Sequence, residues 1–486
     1  MATPAIALRF RDTVPNVDTV DAHRAVLRDK GAVWWGWWKK DFEEDHLALL
    51  SDLQANASFE VFIVDRAKRR MFRANVLRLW IGRLERTELA VVPKYCLEFE
   101  EQVFAWFFLS SLEEVNFESG MAARFGDHTL LSLSHSEDYR SEKLAADTSA
   151  SNKSCVLHLS DLHFGADYAF ATQREKLSIG DPRKTLTECL TTDLKRIGQN
   201  DNIAAVLVTG DFTTGGDWRD GTREDVLQEF RALRSALNLR PEQIIAVPGN
   251  HDIVRYPQGA SIDIAAMVLS NQTTYQHERE FRTFVDELVG RNWKDSLNYV
   301  RRLRLKDADL LLCVLNSCTI AATEWTEYGF VGTSGIDAIG TLKDEPIGRP
   351  TFKFVALHHH LLPVAGVEAP YSKGVTLSLD ASDLLDASQN AGAHVALHGH
   401  QHMPRIARYQ TVPLRGGNAT QPLQVISNGS TGGKRTPGDE RNAYCVFQLQ
   451  ADNVHLWMRE LRFDAKEGTS LFNGSLDTTP QNPSAS

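Results

Sequence analysis

The stretch VALHGHQHMP, Val395 to Pro404, places three histidines within five residues, directly after an apolar run. One interpretation is purely structural, because histidines cluster by chance and can cap a strand end or bond to one another. The other is a metal site, because imidazole is the commonest protein ligand for transition metals. The stretch alone does not distinguish the structural role from the metal site, so the rest of the chain must be considered.

Other apolar runs of the chain end in similar polar groups. They are SDLH with Asp161 and His163, TGD with Asp211, PGNHD with Asn250, His251 and Asp252, HHH at His358 to His360, and HGHQH with His400 and His402. Short apolar runs that alternate with helical stretches predict strands buried on both faces of an α/β sheet. The ends of such strands collect ligand-binding groups. Carboxylate, imidazole and amide side chains together favour divalent first-row metals.

The spacing within two of these motifs has a physical meaning of its own. In D-x-H and H-x-H, residues two apart in extended geometry place both side chains on one side of the chain. We therefore expect both side chains of each pair to face one metal cluster.

The composition limits the class of protein. The chain has 486 residues, 42% of them hydrophobic, and a net charge of −10. No global positive field therefore draws it onto nucleic acid or an anionic membrane, although a local basic patch is still allowed. There is no apolar run of membrane-spanning length, and MATPAIALRFRD lacks the apolar core of a signal peptide. Six scattered cysteines indicate reduced, mostly buried thiols. We expect a soluble cytoplasmic protein.

Changes in composition divide the chain. Residues 1–132 predict a small α+β domain, in which DTVDAHRAVLRDKG forms a helix capped by Asp18 or Thr19 and ended by Gly31. Within it, FEVFIVDRAKRRMFRANVLRLWI predicts two strands about a basic turn. Residues 133–153 have the composition of a polar linker.

The second part of the chain is predicted to run from 154 to 464. Helices are expected at 184–198, 222–238 and 380–392, with a largely helical insertion near 260–302. Residues 465–486 are polar and predict a disordered tail.

The role of the amino-terminal block is open, with substrate or partner recognition as one option. WWGWW at Trp34 to Trp38 could form an aromatic platform for nucleic-acid bases, and KRR at Lys68 to Arg70 could contact phosphates. Alternatively, the indoles pack in a core and KRR lies in a solvated hairpin turn.

The order D-x-H, G-D, G-N-H-D, H, G-H-x-H resembles that of the calcineurin-like metallophosphoesterases, which include purple acid phosphatases and class III cyclic-nucleotide phosphodiesterases. The resemblance covers residues 152–464. It implies a four-layered α/β/β/α sandwich, here preceded by the small α+β domain. It also implies two divalent metal ions, which we expect to be manganese, iron or zinc.

The resemblance implies a role for each motif residue. Asp161, His163 and His402 would hold one metal, and Asn250, His358 and His400 the other, with Asp211 as a bridge. Two metals about 4 Å apart repel, so a bridging carboxylate and a bridging hydroxide lower the cost of bringing them together. That hydroxide would attack phosphorus. In the HHH run we favour His358 over His359 as the ligand, and place His360 in the outer layer or at the surface.

Further residues are expected to act on the substrate. His251 would protonate the leaving oxygen or stabilise the phosphoryl charge, and Asp252 would orient its ring. Arg255 is a candidate to neutralise a substrate phosphate, although a surface salt bridge is an equal alternative. Asn250 would lie at the substrate as well as at the metal.

The function these residues favour is that of a binuclear metal-dependent phosphodiesterase acting on a nucleotide or cyclic nucleotide. The alternatives are a nuclease with the amino-terminal domain as its recognition module, a phosphomonoesterase, and a catalytically dead phosphate-binding scaffold. Nucleic acid as a partner is allowed but is not indicated by the charge.

Overall fold

The computed structural model describes residues 6–478 except 13, 15–16, 40–45, 56–57, 66–67, 118–124, 126–127, 134–150, 180, 217, 219–220, 256–272, 274, 291–295, 345–346, 364–375, 412–420 and 435–441. The chain folds into two units, Met1–Ala145 (unit 1) and Ala146–Ser486 (unit 2). Most of the predicted linker lies outside the described residues. Among the helices that are described, none is both long enough and apolar enough to cross a membrane.

Unit 1 is a mixed sheet with helices, as predicted for a small α+β domain. Its elements are β1 (Ile6–Phe10), α1 (Thr19–Lys30), β2 (Val33–Trp37), α2 (Leu47–Gln54), β3 (Phe59–Asp65), β4 (Arg70–Ile81), two 3-10 helices (Glu88–Val91 and Lys94–Gln102), β5 (Ala105–Leu109), β6 (Glu113–Val115) and β7 (Leu130–Ser132). The strand order is β2-β5-β4-β3-β1-β7, and β6 pairs with β4. The caps predicted for α1 are confirmed, because the Asp18 side chain accepts the N–H of Asp21 and Gly31 ends the helix with φ of 78°.

The tryptophan-rich stretch forms β2, and its indoles are in the core. Trp34, Trp35 and Trp37 are only 1–3% exposed. The indole N–H of Trp34 donates to Glu88 (3.0 Å) and that of Trp37 to Thr129 (2.8 Å), so these polar edges are satisfied inside the unit. The aromatic-platform hypothesis is therefore wrong for these three side chains.

Two cations of the basic turn between β3 and β4 are paired within unit 1. Lys68 lies 2.7 Å from both Asp12 and Asp18, and Arg70 lies 3.1 Å from Glu114. These cations are thus already paired with carboxylates, which agrees with a solvated hairpin turn.

Unit 2 contains two six-stranded sheets. Its elements are β8 (Cys155–Leu159), α3 (Gln173–Ile179), α4 (Leu186–Arg196), β9 (Ile203–Thr209), α5 (Thr222–Ala236), β10 (Ile244–Val247), α6 (Tyr275–Val289), β11 (Tyr299–Arg304), β12 (Asp309–Val314), α7 (Thr333–Asp344), β13 (Thr351–Ala356), α8 (Ala381–Asn390), β14 (Val395–His398), β15 (Arg405–Tyr409), β16 (Leu423–Ser427), β17 (Ala443–Leu449), β18 (Val454–Glu460) and β19 (Ser470–Ser475), with short 3-10 helices at Asn200–Asn202, Pro241–Gln243 and Thr323–Trp325. The first sheet has the order β10-β9-β8-β17-β18-β19, and the second β11-β12-β13-β14-β16-β15. The three predicted helices correspond to α4, α5 and α8.

The two sheets pack face to face and helices cover their outer faces. Val156 and Leu207 of the first sheet pack with Leu312 and Phe354 of the second. The outer face of the first sheet is covered by α4, α5 and α6, and that of the second by α7 and α8. Burial on both faces explains why these strands are continuous apolar runs. The predicted α/β/β/α layering is confirmed.

The end of the chain differs from the prediction. Residues 470–475 form β19, which pairs with β18 through Phe472 and Met458. Disorder was therefore the wrong prediction for the described residues up to 478, while 479–486 lie outside them. The polar composition concealed Leu471, Phe472 and Leu476, which pack on the inter-sheet core.

The predicted insertion near 260–302 is helical in its central described part, where α6 occupies Tyr275–Val289. Strand β11 begins at Tyr299, before the predicted end of the insertion. Residues 256–272 and 291–295 of this segment lie outside the described residues.

Candidate metal centre

The ends of five strands bring the motif residues of unit 2 together. The adjacent parallel strands β8, β9 and β10 of the first sheet lead into Asp161, Asp211 and Asn250, respectively. The adjacent parallel strands β13 and β14 of the second sheet lead into His358 and His400. Because parallel strands end at one edge of a sheet, the ligand-bearing ends of both sheets meet at one site.

The backbone at this site is unusual. Five of the nine described non-glycine residues with positive φ are motif residues, namely Asp161, His163, Asp211, His400 and His402, with φ of 52–75°. The expected extended geometry of D-x-H and H-x-H is therefore wrong, because both members of each pair lie in the left-handed region. Such conformations cost free energy and cluster at functional sites.

The motif glycines allow these loops to approach closely. A Cβ on Gly249 would collide with Asp211, and one on Gly399 would collide with Ser160 and Asp161. Glycine is therefore required at both positions for the carboxylates to lie where they do.

One group of ligand atoms joins Asp161, His163 and His402, all within 4.8 Å of one another. The Nε2 atoms of His163 and His402 are 3.0 Å apart, and His402 Nε2 lies 3.4 Å from Asp161 Oδ1. Asp161 is fully buried, whereas the side chain of His402 is 28% exposed, so the group opens to solvent on the His402 side.

A second group joins Asp161, Asp211 and His358. Oδ2 of Asp211 lies 3.5 Å from His358 Nε2 and 3.9 Å from His163 Nε2, so this carboxylate faces both groups. Asn250 Oδ1 lies 2.8 Å from His358 Nε2 and 3.2 Å from His400 Nδ1. The structure thus brings all seven predicted ligands together.

Backbone carbonyls fix the tautomers of two of the histidines. A carbonyl can only accept, so His358 donates Nδ1–H to Thr209 O (2.8 Å) and His400 donates Nε2–H to Glu327 O (3.0 Å). The other nitrogen of each ring then carries a lone pair that faces Asn250 and the site. Such carbonyl–histidine contacts orient metal-binding imidazoles.

The protonation states suit metal binding. Burial raises the pKa of Asp161, but the hydrogen bond from His402 and the interactions with neighbouring histidines outweigh burial and hold this pKa well below its usual range. Burial lowers the pKa of His163 and, still more, of His400. A carboxylate and neutral imidazoles are the forms that bind a cation. The residues present therefore fit a pair of divalent metals.

His251 lies beside this cluster, with its ring centroid 5.3 Å from that of His163. Its Nδ1 accepts the backbone N–H of Gly215 (2.8 Å), so the neutral ring carries its proton on Nε2. Asp252 does not orient this ring as predicted. Its carboxyl group accepts the N–H groups of Gly249 and Thr213, and burial, with the charge of Asp211, raises its pKa well above the usual value. Asp252 therefore connects two ligand loops.

Arg255 is bonded to backbone carbonyl groups. Its Nε donates to Ile320 O (2.7 Å) and one terminal nitrogen donates to Asn250 O (2.5 Å). Its other terminal nitrogen is buried and has no hydrogen-bond partner among the described residues. The guanidinium group thus positions the backbone of Asn250. Its contacts with the described residues include no surface salt bridge, and the substrate contact stays a prediction.

A model of the calcineurin-like phosphoesterases matches residues 156–404, which is half of the chain and contains every ligand. The chain belongs to this family. A second model, described as Pua-like, matches residues 6–148 of this phosphoesterase. The sequence had given no family for that block. No curated protein matches the chain in sequence.

Solved structures of similar fold include a purple acid phosphatase from yellow lupin, with 14% identity, a TM-score of 0.40, and coverage of 67% of this chain and 54% of that one. A dimetal phosphatase from Danio rerio has 11% identity and a TM-score of 0.35 over 65% of this chain and 98% of that one. PhoD has 10% identity and a TM-score of 0.38 over 69% and 73%. The phosphoesterase described here therefore spans about half the length of the lupin enzyme.

The remaining motif histidines of the phosphoesterase are buried behind the ligands. His158, His359, His360 and His398 are at most 3% exposed, so a surface position for His360 is wrong. His158 bonds to Thr209 Oγ1 (2.8 Å), as expected of a core histidine. His359 bonds to Ser317 Oγ (2.9 Å) and its ring lies 4.5 Å from that of His400, so it packs against the ligand shell.

Sequence reasoning assigned no role to the loop that follows β16. In this loop Ser430 Oγ donates to the carbonyl of Asp161 (2.7 Å), and Gly432 N donates to the same carbonyl (3.3 Å). Asn428 donates to the carbonyl of His158 (3.2 Å). The loop thus holds β8 and its ligands in place. The signal was available, since SNGSTGG follows a buried apolar strand as the other motifs do.

Proposed function

We propose that this chain is a binuclear metal-dependent phosphodiesterase that acts on a nucleotide or cyclic nucleotide. The observation that supports it is the convergence of seven N and O ligands from two sheets, with Asp211 facing both groups. Asp161, His163 and His402 would hold one metal, Asn250, His358 and His400 the other, and Asp211 both. When bound, the metals supply Lewis acidity and a nucleophile from water at neutral pH. Manganese, iron and zinc all suit these ligands.

The protein groups around the ligands bind and orient the substrate. His251 has only its Nε2–H to offer, because Gly215 occupies Nδ1. We therefore assign His251 to donate a hydrogen bond to a phosphoryl oxygen, where charge develops during the reaction. The side chain of Asn250 faces the metal ligands, and Arg255 fixes the position of its backbone.

One point favours a diester. The motifs SDLHFG, VPGNHD and LHGHQH resemble those of bacterial cyclic-nucleotide phosphodiesterases.

A substrate panel tests the proposal. The metal-reconstituted chain should hydrolyse bis(p-nitrophenyl) phosphate and at least one cyclic nucleotide in a chelator-sensitive manner. Hydrolysis of phosphomonoesters alone would replace the diester assignment, cleavage of DNA or RNA alone would favour the nuclease, and two bound metals without any turnover would indicate the scaffold.

His251→Ala should retain both metals and lose about a hundredfold in kcat, as expected when a hydrogen bond to developing charge is removed. The measurement is metal content together with steady-state kinetics on bis(p-nitrophenyl) phosphate. His455→Ala removes a histidine that bonds to Asn473 on β19, and it should leave both quantities unchanged. Full activity of His251→Ala on a diester with a poor leaving group would disprove the assigned role.

We further propose that unit 1 selects or delivers the substrate and adds no catalytic group. Residues 150–486 alone should then bind two metals and cleave the small aryl diester at close to the full-length rate. Turnover of the natural substrate should fall, because recruitment by a linked module acts through effective concentration. Loss of small-diester cleavage by a truncated protein that keeps its metals would show that unit 1 completes the active site.

A further inference from the structure

Strand β12 also ends at the edge of the sheet that carries the ligands, but the chemistry described above does not use the loop that follows it. The strand runs parallel to β13, and Val314 pairs with Ala356. Asn316 and His358 therefore follow their strands at the same level. Residues 316–320, here called the β12 loop, supply no metal ligand, yet all but Thr319 are at most 3% exposed.

The β12 loop holds the segment that carries Asn250 at two points. The carbonyl oxygen of Ile320 accepts Nε–H of Arg255 (2.7 Å). The same guanidinium group donates to Asn250 O (2.5 Å) and so connects this ligand to the loop. In addition, Cys318 Sγ donates to the carbonyl of Pro248 (3.3 Å), two residues before Asn250.

The β12 loop also supports His400, through Ser317. The hydroxyl oxygen of Ser317 bonds to His359 Nδ1 (2.9 Å) and accepts the backbone N–H of His359 (3.1 Å). The ring of His359 in turn lies 4.5 Å from that of His400. The carbonyl of Ser317 accepts the N–H of Phe330 (2.9 Å). Phe330 follows three residues after Glu327, whose carbonyl accepts a hydrogen bond from His400 (3.0 Å).

The helical insertion anchors the β12 loop. Glu278 of α6 accepts Nδ2–H of Asn316 (3.2 Å), and the N–H of Thr273 donates to the carbonyl of Thr319 (2.7 Å). Glu278 is only 6% exposed and pairs with Arg282 (2.7 Å), so its carboxylate is held in place. The insertion thus contacts the ligand-bearing segments through this loop.

A different loop holds the other group of ligands. After β16, Ser430 and Gly432 donate to the carbonyl of Asp161. Gly433 lies so close to His163 that a Cβ on this glycine would come within 3.4 Å of the imidazole ring. In the part of the chain that the structure describes, residues 316–320 make no hydrogen bond to Asp161 or His163.

We propose that the β12 loop sets the metal affinity of one position, that of Asn250, His358 and His400, while the loop after β16 sets the affinity of the other. This inference rests on the proposed function and on its division of the ligands. It makes Ser317 a positioning residue, which acts on the metal only through His359 and His400. Loss of a group that orients a metal ligand typically lowers metal affinity by about 10–100-fold.

Titration of the metal-free full chain with Mn²⁺ tests the proposal without turnover. In calorimetry, Ser317→Ala should weaken one of two binding events by about 10–100-fold and leave the other within about twofold. Ser430→Ala should also weaken one event, and the double variant should weaken both, because the two serines serve different positions. Electron paramagnetic resonance adds a signature, since two adjacent Mn²⁺ ions couple. Each single variant should show an isolated ion at a Mn²⁺ concentration that gives the coupled pair in the wild type.

Two further variants make the result specific. Arg255→Lys keeps the charge but cannot bridge the carbonyls of Ile320 and Asn250, so it should reproduce the loss caused by Ser317→Ala. Ser388→Ala is the matched control, because Ser388 is, like Ser317, 0% exposed but lies on α8, outside both loops. It should bind both ions as the wild type does. Equal weakening of both events by Ser317→Ala, unchanged binding, or a double variant that keeps one tight ion would overturn the inference.

The proposed function and this inference can fail separately. Separate effects of the two serine variants, in a protein that hydrolyses no diester, would contradict the proposed function alone. Diester hydrolysis by a wild type with two metals, both of which Ser317→Ala weakens equally, would contradict the inference alone. A wild-type chain that binds fewer than two Mn²⁺ ions would contradict both.

Discussion

Asp211→Asn is expected to lose its metals and to reduce kcat by about a thousandfold or more. The Asp211 carboxylate is 1% exposed and its Oδ2 lies within 4 Å of His163 and His358. An amide of the same shape can still accept the N–H of His251 but lacks the negative charge that offsets two nearby dications. Metal analysis and kinetics on bis(p-nitrophenyl) phosphate measure both effects.

Asp225→Asn is the matched control for this substitution. Asp225 is also buried, but it bonds to Arg174 (2.7 Å) and belongs to neither ligand group. Its variant should bind as much metal as the wild type and keep its kcat. An Asp211→Asn protein that retained two tightly bound metals and kcat within about tenfold of the wild type would show that Asp211 bridges nothing.

Removal of the metals by a chelator is expected to abolish turnover and to lower the melting temperature of unit 2 by about 5–10 °C. Each metal at a hundred times its Kd contributes about 2.7 kcal/mol to the free energy of unfolding, and a domain of this size shifts by roughly 1–2 °C per kcal/mol. Without cations, Asp161 and Asp211 also repel each other in a buried site. Scanning calorimetry with and without chelator measures the shift.

Two comparisons make the chelation result specific. Readdition of Mn²⁺ should restore both activity and melting temperature, and the transition of unit 1 should not respond to chelator. The Asp211→Asn protein should also not respond, because it has little metal to lose. An unchanged transition in the wild-type protein, with turnover retained, would contradict a metal-dependent mechanism.

The convergence of the ligands was predictable because it follows from the topology of the parallel strands. Residues that follow buried parallel strands collect at one edge of the sheet. The sequence alone was therefore enough to place Asp161, Asp211, Asn250, His358 and His400 together. The choice of His358 within HHH is supported by a contact that the sequence does not display, the bond from its Nδ1 to the carbonyl of Thr209.

Other features could not be predicted because they depend on distant backbone. The partner of the His251 ring is an N–H of Gly215, and Arg255 reaches the carbonyl of Ile320, 65 residues away in sequence. Local composition carries no signal for either contact. Strand β19 was missed for a different reason, since its polar residues outnumber the few apolar ones that fix its register.

The origin of the ligands in two separate sheets has a consequence for how the protein is made. His163 and His402 are in contact yet stand 239 residues apart in sequence. During synthesis at about 5–20 residues per second, the first sheet's ligands leave the ribosome many seconds before their partners. Contacts of such high sequence separation form late, so a nascent chain presents Asp161 and His163 as an incomplete, weak site. Tight metal uptake should therefore coincide with the docking of the second sheet's ligands against those of the first, which makes it a marker for that step of folding.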